Sequence, residues 1–129
     1  MFKQIDYTDL LGKEFEYGGR GPDKYDCYGL CMEIYKRLGK PLPEFHSESE
    51  PSLIHEIVMQ GKKLFKEIPE PEPYCLAVFT LKPPYVSHIG VVLNPPYFIH
   101  ILRKARVCVE RLDSYIWAKR VKGFYRWEG

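Results

Sequence analysis

At 129 residues, with 45% apolar and 28% charged positions, the chain has the size and composition of one soluble domain that can bury a core without disulfide or metal staples. A net charge of +2, with Lys and Arg scattered, argues against a dedicated nucleic-acid surface; the basic cluster in "ILRKARVCVERL" (101–112) reads as a solvated strand end. The N-terminus lacks an apolar run of signal-peptide length and no segment is long enough to insert in a membrane, so synthesis in the cytoplasm without a signal peptide is expected, with Cys27, Cys31, Cys75 and Cys108 as reduced thiols.

In chain order, "YTDLLGK" (7–13) predicts a short helix, and a glycine- and proline-rich loop runs through 18–25 into Asp26-Cys27. From Cys27 the positions Leu30, Cys31, Ile34 and Leu38 follow helical spacing and form one apolar stripe. Lys36 and Arg37 complement the dipole in its last turn, Gly39 supplies a stop and Pro41 bars continuation. A second helix is predicted over 51–60, with Ser49 or Glu50 near its cap, Pro51 in the first turn and Gly61 at its stop. The preceding "PEFHSESEPSL" (43–53) reads either as a lid or as a solvated loop.

The proline-punctuated link "IPEPEPY" (68–74) divides one domain, 1–129, into a helical half (1–68) and a sheet half (74–127). Beyond it "YCLAVFT" (74–80), "SHIGVVL" (87–93), "YFIHIL" (97–102), "RVCVERL" (106–112) and "VKGFYRW" (121–127) predict strands, and "DSYIWAK" (113–119) a short helix capped by Asp113 or Ser114. Helices followed by a meander of about five antiparallel strands give an α+β domain with its helices on one sheet face.

Cys27 falls where a helix's unpaired N–H groups and dipole stabilise a thiolate, below the ordinary thiol pKa of about 8.5. A small core residue on the apolar stripe is the other use of that position, and the only one for Cys31, one turn further in. A cysteine nucleophile needs a base and a polar group to orient it. His46 lies in a polar loop stretch and His55 on the second helix, whereas His88 and His100 interrupt apolar strand runs. If "NPP" (94–96) is the loop between those strands, Gly90 faces His100, and both imidazoles project from one sheet face as diagonal neighbours. The constellation is a thiol hydrolase layout: Cys27 attacks, His88 is the base, His100 holds the His88 tautomer, and the Cys27 N–H serves the oxyanion. A metal site built on Cys27 and Cys31 with two histidines is the competing use, disfavoured because no second cysteine pair of zinc spacing follows; no metal or cofactor is expected.

The block "YGGRGPDKYDCYGLCMEIYKRLGKPLPEF" (17–45), followed by "SHIGVVL", "FIH" and the closing "VCVERL…W…VKGFYRW", resembles the NlpC family of cell-wall cysteine peptidases, and within it the branch of phage and prophage tail modules. The resemblance implies a papain-like fold, hydrolysis of an amide in peptidoglycan stem peptides, typically from γ-D-glutamate to a diamino acid, and a Cys27-His88-His100 triad. It implies that Asp26 helps hold the free amino end of the stem peptide and that Tyr17 lines the cleft. Tyr28 stands where the common pattern has serine, so the amine pocket differs, and Cys75 stands where glycine is common. No wall-binding repeat is attached, which suits a protein carried by a tail, with other tail proteins as partners, or released by lysis. A structural tail-assembly protein of the same fold, and an amidase or acyltransferase acting on another γ-glutamyl or lipid substrate, are the rival readings.

Overall fold

A computed structural model describes residues 4–45, 50–81 and 86–128. The chain opens with a single 3-10 turn at Thr8–Leu10 and a two-residue strand β1 (Glu14–Phe15), which pairs in parallel with β2 (Lys24–Tyr25). Helix α1 (Cys27–Arg37) follows at once. Asp26 caps it in extended conformation, its side chain accepting from the Gly29 N–H. At the other end Gly39 takes φ +79°, which turns the Lys40 N–H back onto the Tyr35 carbonyl at 3.0 Å.

Helix α2 (Glu50–Leu64) runs past Gly61, one turn beyond its expected stop. An interior glycine costs only about 1 kcal/mol, and tertiary contacts outweigh it. Leu53, Ile54 and Ile57 are buried, and the added turn delivers Phe65 into the core, edge-on to Trp127 at 5.4 Å. The proposed Ser49 cap, His46 and the middle of the 43–53 stretch lie outside the described residues.

Strand β3 (Lys66–Ile68) was hidden by its charge, and it sits in the half expected to be helical. The remaining strands fall where the sequence places them: β4 (Leu76–Phe79), β5 (His88–Val92), β6 (Tyr97–His100), β7 (Cys108–Arg111), then helix α3 (Tyr115–Ala118) and β8 (Val121–Arg126). Ser114, not Asp113, caps α3. The sheet has six strands in the order β3-β8-β4-β5-β6-β7, every pair antiparallel. It is not a plain meander, because β8 returns to lie between β3 and β4. The ion pair of Arg126 with Glu72, at 2.6 Å, fastens that strand to the proline link.

Strands β4 and β5 are buried along their whole length, because both faces of the sheet are covered. Leu76, Val78, Ile89, Val91, Ile99 and Ile101 face the α1 and α2 core. Ala77, Phe79, Val92 and Phe98 alternate onto the opposite face, where they meet Leu112 and, from α3, Trp117. Helices α1 and α2 share one face, as expected, and the short α3 closes the other. Among the described residues no helix is long and apolar enough to cross a membrane.

Candidate functional site

Two clusters of polar groups stand out in this frame. The first surrounds the start of α1. Asp26 is fully buried and accepts from the Gly29 N–H at 2.6 Å, the Gly18 N–H at 3.0 Å and the Arg20 guanidinium at 2.8 Å. Arg20 also grips the Glu44 carboxylate at 2.9 Å and the Phe45 carbonyl at 3.2 Å, tying the 18–25 loop and the 41–45 segment to the helix cap. Both Asp26 oxygens are thus occupied inside the protein. The structure gives Asp26 the work of a cap and loop anchor, and no exposed oxygen with which to hold a substrate amine.

Cys27, next in sequence, is buried in the first turn of α1, which packs along β5 and β6. Tyr28 is buried as well; its hydroxyl donates to the Pro43 carbonyl at 2.6 Å and its ring meets Phe45 edge-on. It braces the 41–45 segment rather than opening onto a cleft. Tyr17 stands at the surface, 40% exposed. Cys31 is deep in the core, and burial, followed by the Asp26 charge, raises its pKa far above the thiol range. Burial likewise pushes Cys75 up to about 11.

The second cluster is built on the sheet. Val91 lies opposite Ile99 and Val92 opposite Phe98, with the Leu93 N–H on the Tyr97 carbonyl at 2.8 Å, so Asn94–Pro96 form the loop and the expected register is observed. His88 and His100 consequently share the sheet face that α3 covers. His88 Nε2 lies 2.8 Å from His100 Nδ1, and His100 Nε2 lies 2.6 Å from the Glu110 carboxylate. Trp117 packs its ring edge-on to His100 at 4.9 Å and tilted to His88 at 6.0 Å, helping to bury the two imidazoles.

The carboxylate at the end of this chain decides every proton in it. Burial pushes the Glu110 pKa up, but the Trp117 indole and the hydrogen bond from His100 outweigh it, so the group stays ionised. The indole N–H favours that charge without completing a hydrogen bond of good geometry. Burial depresses His100, and burial followed by His100 holds His88 well below the ordinary imidazole range, so both rings are neutral near pH 7. Ionised Glu110 only accepts, so His100 Nε2 carries a proton and His100 Nδ1 a lone pair. His88 Nε2 must then donate, which leaves its lone pair on Nδ1. That nitrogen is buried and has no hydrogen-bond partner among the described residues.

Glu110 escaped the sequence analysis. The signal was its alternation with Cys108, which puts a carboxylate on a buried face, but residues 101–107 between β6 and β7 are too many to fix a register from sequence. The structure pairs His100 with Cys108 and Phe98 with Glu110, which brings both side chains beneath His100. Gly90 is the other device. A Cβ there would stand 3.1 Å from the His100 Cβ and 3.0 Å from the Ile99 carbonyl, tighter than ordinary contact. Gly90→Ala is expected to tilt His100, costing about 1–2 kcal/mol of stability and roughly tenfold in any activity that uses the relay; thermal unfolding beside a rate assay checks both.

The family profile of NlpC/P60 matches residues 12–126. Among solved structures, an NlpC/P60 family protein from Bacillus cereus ATCC 10987 superposes with a TM-score of 0.69 at 17% identity, over 99% of this chain and 42% of its own. A lipoprotein-like NLP/P60 family protein from Staphylococcus aureus subsp. aureus Mu50 gives 0.65 at 22%, over 91% and 37%. The NlpC/p60 domain of the peptidoglycan hydrolase SagA gives 0.60 at 16%, over 91% and 88%. The chain thus spans less than half the length of several of its structural relatives. No curated protein sequence matches it significantly.

Proposed function

The chain belongs to the NlpC/P60 family, with its papain-like fold, and from that premise we propose that it is a cysteine peptidase cutting an amide bond of peptidoglycan stem peptides, the bond from γ-D-glutamate to the diamino acid. The observation that supports this reading most is the polarised relay Glu110–His100–His88, which ends in a bare, buried lone pair on His88 Nδ1. Cys27 is the nucleophile at the start of the helix packed along the His88 strand. His88 is the first residue of β5, and in this reading its imidazole serves the Cys27 thiol from that end of the strand.

In this mechanism His88 Nδ1 takes the Cys27 proton and the sulfur attacks the scissile carbonyl carbon. The oxyanion takes a hydrogen bond from the Cys27 N–H in the first helical turn. The imidazolium then returns its proton to the departing amine nitrogen, leaving a thioester on Cys27. A water that loses its proton to His88 Nδ1 hydrolyses the thioester and restores the thiol. His100 orients His88 in both halves, and the Glu110 charge stabilises the imidazolium through it. Asp26 serves the substrate only through the loop it anchors, while Tyr17 lines the approach. A tail-borne or lysis-released enzyme is the delivery route that the 17–45 motif suggests.

The test is incubation of the purified protein with defined tripeptide and tetrapeptide stems, read by mass spectrometry. New fragments at the γ-D-glutamyl bond are expected; their absence, with a thiol at Cys27 that resists alkylation, would move the reading to a structural protein. Glu110→Gln keeps the shape and removes the charge. It is expected to lower kcat roughly 10–100-fold, the size of effect seen when a group behind an active imidazole is lost, with little change in KM. A kcat equal to the parent's would remove Glu110 from the mechanism.

A further inference from the structure

Among the described residues, one group of ligating side chains lies behind the relay. His100, Cys108 and Glu110 offer a nitrogen, a sulfur and an oxygen that all lie within 4.8 Å of one another. The Cys108 sulfur is 3.7 Å from His100 Nε2 and 3.8 Å from the Glu110 carboxylate. Around a tetrahedral zinc ion, with bonds of about 2.0–2.3 Å, neighbouring donors are separated by roughly 3.3–3.6 Å. Both sulfur edges therefore come close to ligand spacing as they stand. Only the 2.6 Å hydrogen bond between His100 and Glu110 has to open, and the Glu110 side chain, 38% exposed, has the freedom to move and a solvent side for a fourth ligand.

We propose that His100, Cys108 and Glu110 form a binding site for a thiophilic divalent ion of the zinc class, and that the ion switches the relay off. The donor set, one imidazole, one thiolate and one carboxylate on neighbouring antiparallel strands, suits zinc and not a hard cation such as magnesium. Binding releases one proton, from the Cys108 thiol. The ion takes the lone pair of His100 Nε2, so the His100 proton moves to Nδ1. There it becomes the donor to His88 Nε2, and the His88 proton moves to Nδ1. Both rings stay neutral, yet the nitrogen that would accept the Cys27 proton now carries one. The switching half rests on the peptidase reading; the binding half does not.

The binding half is tested in Cys27→Ala protein, which removes the other reactive thiol and any dependence on cleavage. Titration with Co(II) should give a thiolate-to-metal charge-transfer band and tetrahedral visible bands, both discharged by zinc. In Cys27→Ala/Cys108→Ser the thiolate band should vanish, with circular dichroism showing the fold retained. Should that variant unfold, Cys27→Ala/Glu110→Gln takes its place and should bind at least tenfold more weakly. No band in Cys27→Ala, or a band unchanged in the second variant, overturns the site. For the switch, zinc should slow stem-peptide cleavage by the parent and a chelator should restore it. Relative to each protein's own metal-free rate, Cys108→Ser should need at least tenfold more zinc. Equal sensitivity would overturn the switch, and a parent that cuts nothing and whose Cys27 resists alkylation would sink the peptidase reading while leaving the Co(II) result to stand.

Discussion

Cys27→Ala is expected to abolish stem-peptide cleavage, with a loss of at least about 10³-fold, while leaving the fold intact. The loss is this large because the thiol is both the proton donor to His88 and the nucleophile: without it, His88 Nδ1 can only activate water, and no acyl intermediate forms. The stability cost is small by comparison. Cys27 is fully buried, so deleting its sulfur leaves a cavity of one atom, worth about 1 kcal/mol. Mass spectrometry of the stem peptides and a thermal melt, run side by side, separate the two effects. Cleavage at the parent rate by the alanine variant would sink the mechanism. A collapse of its melting temperature would instead mean that Cys27 is chiefly a packing residue. Alkylation supplies a cross-check: Cys31 and Cys75, buried with raised pKa values, should stay unmodified near pH 7.

The largest stability effect is expected at Gly29. A Cβ there would stand 2.0 Å from the Gly19 carbonyl oxygen, 3.0 Å from the Asp26 carboxylate and 3.1 Å from the Arg20 guanidinium. No rotamer relieves a clash with a backbone atom, so the 18–25 loop or the first turn of α1 has to move. Movement breaks the Asp26 cap and the Arg20 ion pair together, since both converge on the same carboxylate. Gly29→Ala should therefore lose about 3 kcal/mol, within the tail reserved for core overpacking and broken buried networks. Activity should fall with it, because the displaced turn is the one that carries Cys27. Gly39→Ala is the control. Its φ of +79° makes alanine strained, but no atom lies within 4 Å of the added carbon. Conformation alone then sets the cost, about 1 kcal/mol, far from the site. Denaturant unfolding of both variants checks the difference, and equal costs would show that the loop contact is not what holds the helix start.

The sequence by itself carried the parts of this protein that depend on neighbours along the chain. Both ends of α1 were readable, because a cap is a local hydrogen bond and a glycine stop is a local dihedral angle. The β5–β6 register was readable for the same reason: a loop of Asn94–Pro96 leaves one way to pair the strands, and His88 and His100 then fall on one face. The block around Asp26, Cys27 and Gly29 was legible as a pattern, yet its physical reason was not. Only the folded chain shows the Gly19 carbonyl pressed against Gly29 and Arg20 closing over the buried carboxylate.

Tertiary structure decided the rest. Charge hid β3, whose Lys66 and Glu67 face solvent while pairing with β8 supplies the stability. Helix α2 passed its glycine because Phe65 had a place in the core beyond it. The partner of His100 was decided by the β6–β7 register, which no short turn dictates, and so Glu110 entered the relay unannounced. Hydrogen bonds and dihedral preferences act over a few residues and leave their mark in the order of the letters. Contacts between strands joined by long connections are chosen by the burial of whole faces, a property of the fold and not of any one stretch.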